Sequence, residues 1–259
     1  MNSRTLVLIA AASLAASLFA QGPGVALGPN IKTPPAGPAP RTPDGKPDLS
    51  GIWQRPYVPD MSRNGRNQQG TPELPFTEAG LKAWKSYDAS QGDYTGSCLP
   101  FGLLRSMNSP DPIQIMQSPQ YVALLYEQNT WFHVIPIDKP HRDGVPTWFG
   151  DSVGHWDGDT FVVDTINFNG RTRLDTIGHP HSDALHVIEH FTRIDAGHIG
   201  YEVTVDDPKY FTKPWKNTRT FTLRPDWEIM EYSCEENNKD FFEGHIKGTM
   251  DGNKQSESK

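Results

Sequence analysis

Ser152-Val-Gly-His155-Trp156-Asp157-Gly158-Asp159-Thr-Phe-Val-Val-Asp164-Thr-Ile166 sets two short runs of strand-forming residues back to back. Between them, Asp157-Gly158 is the dipeptide best suited to a two-residue type I′ turn, in which both central residues take positive φ. The stretch predicts a β-hairpin with strands over 152–156 and 159–166. The same grammar recurs on both sides. Segments 120–127 and 130–136 flank Gln128-Asn129; 184–194 and 198–206 flank Asp195-Ala-Gly197; 217–224 and 227–234 flank Pro225-Asp226. With 51–57 and 113–117 this makes about ten strands, joined mostly to their sequence neighbours. Hairpins in series build antiparallel meanders, and an up-and-down barrel is the meander that leaves no exposed edge. A β-sandwich of the same strands is the competing arrangement. One short helix is predicted, with Thr77 as N-cap, Glu78 in the first turn, and Leu81, Trp84 and Tyr87 recurring along it.

Outside this block the chain changes character. Residues 1–20 read as a signal peptide: a short n-region ending at Arg4, an apolar run over 5–16, and Ala20 before a cleavage point at Gln21. The apolar run is shorter than the roughly 20 residues a membrane span needs. Export to a periplasm or the cell exterior is expected, with no stable membrane insertion after cleavage. Residues 21–48 are rich in Pro and Gly and lack apolar periodicity, as in a linker or a strap over the domain. Residues 49–259 then form a single domain, with a disordered tail from about 250. An oxidising compartment favours pairing the two cysteines, Cys98 and Cys234. The formal charge is −7, and removing Arg4 leaves 23 Lys and Arg against 31 Asp and Glu, or −8. A chain this acidic is not expected to bind nucleic acid, which asks for a basic face.

Gly51-Ile52-Trp53, opening the first strand, resembles the G-x-W of lipocalins and their calycin relatives, where the Trp plugs the closed end of the barrel. The resemblance implies a calycin-like barrel here. Asp151-Ser-Val-Gly-His155-Trp-Asp-Gly-Asp159-Thr-Phe-Val-Val-Asp164-Thr, with Pro180-His181-Ser-Asp183-Ala-Leu-His186, is similar to a family of exported proteins common in soil bacteria. That similarity runs from about Pro43 to Asn238 and carries over no catalytic residue.

The usable chemistry is concentrated in His179-Pro-His181-Ser-Asp183-Ala-Leu-His186-Val-Ile-Glu189-His190. Imidazole titrates near neutral pH and is the commonest metal ligand. His186-Val-Ile-Glu189-His190 fits the H-x-x-E-H pattern of inverted zinc proteases, which needs a helix to put both His on one face. The β-branched and aromatic residues here favour a strand, which holds the two His about 13 Å apart with Glu189 on the opposite side. His179, His181 and Asp183, in contrast, share one face of an extended chain. They are the set that would hold a divalent metal, or in which Asp183 would fix an imidazole tautomer; the patterns require no cofactor. H-x-H also occurs in cupins and H-x-D in non-haem iron oxygenases. Here the cupin Glu is missing, and His245 could be offered as the distal His of the oxygenase pattern.

Within the strands, Glu189 shares a face with Leu185, Val187 and Phe191, and Asp164 with Val162, Ile166 and Phe168. Both carboxylates are therefore expected inside the barrel. There they would act as acid–base groups with raised pKa, or pair with an inward Arg such as Arg171, Arg173 or Arg219. Tyr210, Lys213 and Trp215, from a loop stiffened by prolines, together with Trp156 and His155, are the expected substrate-binding residues. The set predicts an exported enzyme with an internal pocket in which His186, Glu189 and Asp164, with His181 and Asp183 near the rim, perform hydrolysis, elimination or isomerisation on a small organic substrate. Two rivals come from other classes: a lipocalin-like carrier of an apolar or aromatic ligand, and a structural envelope protein.

Overall fold

The computed structural model describes residues 32–66, 68–88, 93–236 and 238. The segment read as a signal peptide, most of the first half of the 21–48 stretch, His245 and the tail lie outside the described residues. Among the described residues ten strands are formed: β1 (Gly51–Gln54), β2 (Gln68–Gln69), β3 (Ile113–Gln117), β4 (Tyr121–Tyr126), β5 (Phe132–Pro136), β6 (Asp151–Asp157), β7 (Thr160–Ile166), β8 (His186–Arg193), β9 (His198–Asp206) and β10 (Trp215–Leu223). The sheet runs β5-β4-β3-β1-β10-β9-β8-β7-β6, with β2 set beside β10 off this path. Every ladder is antiparallel, and the first strand pairs with the last through Trp53 and Leu223. This is a meander barrel, not a sandwich.

Nine strands cannot alternate direction all the way round a closed ring, so one seam must be parallel. It falls between β5 and β6, where Ile137 and Gly154 form a parallel bridge and the Asp138 N–H donates to the Gly154 carbonyl at 2.8 Å. A parallel junction needs a crossover in place of a hairpin, and residues 137–150 supply it. Inside the seam, His133 Nε2 meets Ser152 Oγ at 2.7 Å, and Ser152 Oγ meets Thr165 Oγ1 at 2.7 Å. Burial lowers the His133 pKa to about 4, so the ring is neutral at ordinary pH.

Side chains alternate across the wall as strand geometry demands. Phe161, Val163, Val187, Phe191, Ile199, Tyr201, Val203 and Phe221 point inward and are buried. Across three strands Phe191 meets Tyr201 edge-on and Tyr201 stacks on Phe221, each pair with ring centroids 5.1 Å apart. Each such ring contributes roughly 1.5–3 kcal/mol by leaving water. Trp53 closes one end, fully buried, its indole N–H donating to the Leu49 carbonyl at 2.9 Å and the Arg193 guanidinium 4.5 Å above its ring. Residues 32–48 lie across that end as a strap, tied by the Ala196 N–H to the Gly37 carbonyl and by Arg41 to Asp159.

Three local expectations need correction. The β6–β7 turn centres on Gly158-Asp159 with positive φ at Gly158 alone (57°), as a type II′ turn requires, because Asp157 already pairs with Thr160. Residues 227–234 form no strand: β1 and β2 already occupy the free edge of β10, leaving no ladder to join. A second helix, α2 (Leu103–Asn108), follows the predicted α1 (Glu78–Lys85). All six residues of α2 are buried, so its sequence shows no amphipathic period.

Helix α1 starts where expected, Thr77 accepting from the Gly80 N–H, and docks on the 207–215 loop through Gly80. Alanine there would gain about 1 kcal/mol of helix propensity. Its Cβ, however, would lie 2.1 Å from the Tyr210 carbonyl oxygen. Backbone cannot swing aside as a flexible side chain can, so sterics wins. Gly80→Ala is expected to lower stability by roughly 1–3 kcal/mol, read as a fall in denaturant midpoint; an unchanged or raised midpoint would refute that docking.

Candidate functional site

The histidine-rich stretch does not converge on one point. His179 and His181 are buried while Asp183 is exposed. His179 Nδ1 bonds Asp175 Oδ2 at 2.6 Å. His181 Nε2 meets Thr172 Oγ1 at 2.6 Å and its Nδ1 meets the Ser182 carbonyl at 2.9 Å; burial holds its pKa below the ordinary value. Asp183 turns outward to Lys209 at 2.5 Å. The segment leaves Gly178 as a folded loop, not an extended strand, so the expected metal set of His179, His181 and Asp183 is not assembled. Around His179 a different trio gathers: ligand atoms of Asp60, Asp175 and His179 lie within 4.8 Å of one another. Asp175 accepts from the Met61 N–H and from the backbone N–H and Nδ1 of His179, and Asp60 accepts from Ser62 and Arg63. Protein donors thus already bond both carboxylates of this cluster.

Strand β8 behaves as its period predicts. His186, Ile188 and His190 face outward, and Glu189 faces the interior between Val163 and Val203. Glu189 is 1% exposed and accepts from the Tyr201 hydroxyl at 2.7 Å. Burial pushes its pKa up to about 7 against the lowering effects of that hydroxyl and of the Arg219 charge. Asp164, expected beside it, pairs instead with Ile188 in the ladder and points away from the barrel. The expected Asp164–Glu189 pair is thus divided by the sheet. The pattern misleads because Val162, also outward-facing, is only 8% exposed, so β7 is apolar on both faces.

On the outer wall Asp164 finds other partners. His186 Nε2 lies 3.1 Å from Asp164 Oδ2, and His141 Nε2 lies 3.0 Å from Asp164 Oδ1. His141 Nδ1 in turn lies 3.1 Å from Asp151 Oδ2. Arg142 clamps Asp151 with its backbone N–H at 2.9 Å and its Nε at 2.8 Å. Burial would raise the Asp151 pKa, but the bonds from Arg142 and His141 hold it below the ordinary value. The result is a continuous chain, His186–Asp164–His141–Asp151–Arg142, with His186 and Asp164 each 35% exposed at its outer end. A carboxylate only accepts, so His141 satisfies both neighbours only with both ring nitrogens protonated. His141 and Arg142 come from the 137–150 crossover that the parallel seam requires. Nothing periodic marks them in the sequence, and they escaped sequence reasoning for that reason. Asp151 was within reach, since the β6–β7 hairpin puts it on the same outward face as Asp164.

The expected substrate-binding residues are dispersed. Trp215 is a core residue packed on Phe211 at 5.5 Å, and Tyr210 lies under helix α1. Lys213 is exposed on the same loop. Trp156 points inward at the strap end, beneath Lys46, while His155 is exposed on the outer face. Trp53, Tyr126, Phe161 and Tyr201 are buried in the barrel interior. Cys98 and Cys234 form the expected disulfide. Among the described residues, no helix is long and apolar enough to cross a membrane.

No protein-family model matches the chain, and no curated protein matches it. Among solved structures, a point mutant of the fluorescent protein UnaG is similar at 11% identity over 70% of this chain and 97% of that one, with a TM-score of 0.31. No residue role is taken from that likeness.

Proposed function

We propose that this protein is an exported small-molecule enzyme whose acid–base chemistry resides on the outer wall of the barrel, at His186 and Asp164, backed by His141 and Asp151. The single observation that carries this reading is the unbroken imidazole–carboxylate chain ending at a part-exposed His186. With Nε2–H donated to Asp164, the His186 ring keeps one tautomer and presents Nδ1 as the atom that takes a proton. Asp164 then stabilises the imidazolium that forms, and the proton returns to the substrate or its leaving group. Proton abstraction of this kind serves isomerisation, elimination or hydrolysis of a small organic substrate. Glu189, His181 and Asp183 take no part, since none reaches this face of β8. The rival reading is carriage of an apolar ligand inside the barrel, among the buried rings of Phe191, Tyr201 and Phe221.

Purified protein should be assayed against panels of esters, lactones and enolisable carbonyl compounds. His186→Ala and Asp164→Asn are each expected to lower the activity found by about 100-fold, with little change in melting temperature because both residues are part-exposed. Nitrogen-15 spectra should show the Nε2–H tautomer of His186 in the wild type and its loss in Asp164→Asn. An activity that survives His186→Ala would remove this site from the mechanism.

A further inference from the structure

A second concavity lies on the same outer wall, four residues further along β8. Strand register sets His190, Glu202, Thr218 and Gln69 in one row across β8, β9, β10 and β2. The adjacent row is Thr192, Gly200 and Thr220, where Gly200 leaves the floor without a side chain. Arg66, on the turn before β2, stands at the edge, and together these groups line a cavity of about 470 Å³. That volume falls in the range of small-molecule sites, roughly 300–1,000 Å³.

Two observations make this more than a groove. Among the described residues, the side chains of Gln69, Thr218 and Thr220 make no hydrogen bond within the protein. His190 Nδ1 is buried with no partner, in a structure where most buried polar atoms are matched. The lining is unusual also in its charge. Arg66 and Arg219 are cationic, while Glu202 is anionic with one oxygen held by Lys216 at 2.6 Å. A ligand carrying net charge of either sign meets a like charge here. A neutral ligand whose groups both donate and accept meets none, and hydroxyls answer hydroxyl, amide, imidazole and carboxylate alike.

We propose that this cavity binds a neutral saccharide of one or two rings. The site is separate from the His186 chain, so it stands or falls on its own.

The test uses titration calorimetry of the full mature chain with glucose and with cellobiose. Glucuronate and inorganic phosphate serve as charged probes. A neutral sugar is expected to bind with Kd on the order of 1 mM or tighter. Thr220→Trp places an indole in the cavity from an exposed position and is expected to weaken binding about tenfold or more, with the fold intact. Gln69→Ala, which disturbs no packing, is expected to weaken it severalfold should the tryptophan variant fail to fold. Absence of binding by either sugar at about 50 mM overturns the proposal. So does unchanged affinity in both variants, or binding of the charged probes in place of the neutral ones.

Discussion

Replacing Cys98 and Cys234 together by serine is expected to lower stability by about 5 kcal/mol, the largest effect foreseen for a change at two positions in this chain. The bridge spans a sequence separation of 136 residues, so it closes most of the barrel into one loop. By the chain-entropy relation, cross-linking a loop of that size removes roughly 5 kcal/mol of conformational freedom from the unfolded state. In the fold, Cys98 follows the short 3-10 turn Tyr94–Ser97, and Cys234 lies on the segment that runs past Gln128–Thr130. The Met230 N–H to Glu127 at 3.0 Å is another tie on that segment. For a domain of this size the loss corresponds to a melting temperature roughly 10–20 °C lower. Calorimetry of the oxidised wild type, the reduced wild type and the double serine variant would read it, the last two melting together. A reduced protein that melts within a degree or two of the oxidised one would show that the bridge constrains nothing the fold needs.

Glu189 gives the second large effect, and its sign runs against the usual carboxylate behaviour. Most acids are stabilised in the ionised form by folding, so proteins gain stability as pH rises above the acid range. Here burial dominates and raises the folded-state pKa from its ordinary 4.5 to about 7. The unfolded chain therefore releases this proton first. Glu189 contributes its full stability below about pH 4.5 and loses it as pH rises through 7, about 3 kcal/mol in all. Glu189→Gln keeps the size and still accepts from the Tyr201 hydroxyl, but it has no proton to lose. Denaturant unfolding of both proteins from about pH 4.5 to pH 8 should show the variant gaining on the wild type by about 3 kcal/mol across that window. Groups common to both cancel in the difference. A difference that stays constant with pH would mean that Glu189 does not change its ionisation there, and that Arg219 pairs with it in full.

The strands were legible because the information for them is local. Alternation along 198–206 and the turn residues around Gly158 and Gly197 are properties of consecutive residues, and they place nine of the ten strands within a few positions. The same period-2 argument disposes of H-x-x-E-H, since it puts Glu189 and His190 on opposite faces whatever the surroundings. The trouble came where burial has a source other than the core. Asp164 sits among Val162, Ile166 and Phe168, and Val162 is buried by the outer wall, so hydrophobicity alone could not tell inside from outside. Strand 227–234 failed for a related reason: its composition suits a strand, yet a strand also needs a partner with a free edge.

Sequence by itself determined the hairpins before β10, the meander that follows from them, the Thr77 cap and the pair of cysteines, all set by neighbours along the chain or by elimination among two thiols. Closure of the ring decided the rest. An odd number of strands forces one parallel seam, that seam forces the 137–150 crossover, and the crossover carries His141 over the wall to Asp164, 23 residues away. No local pattern records that contact, because it is a consequence of how many strands the barrel holds.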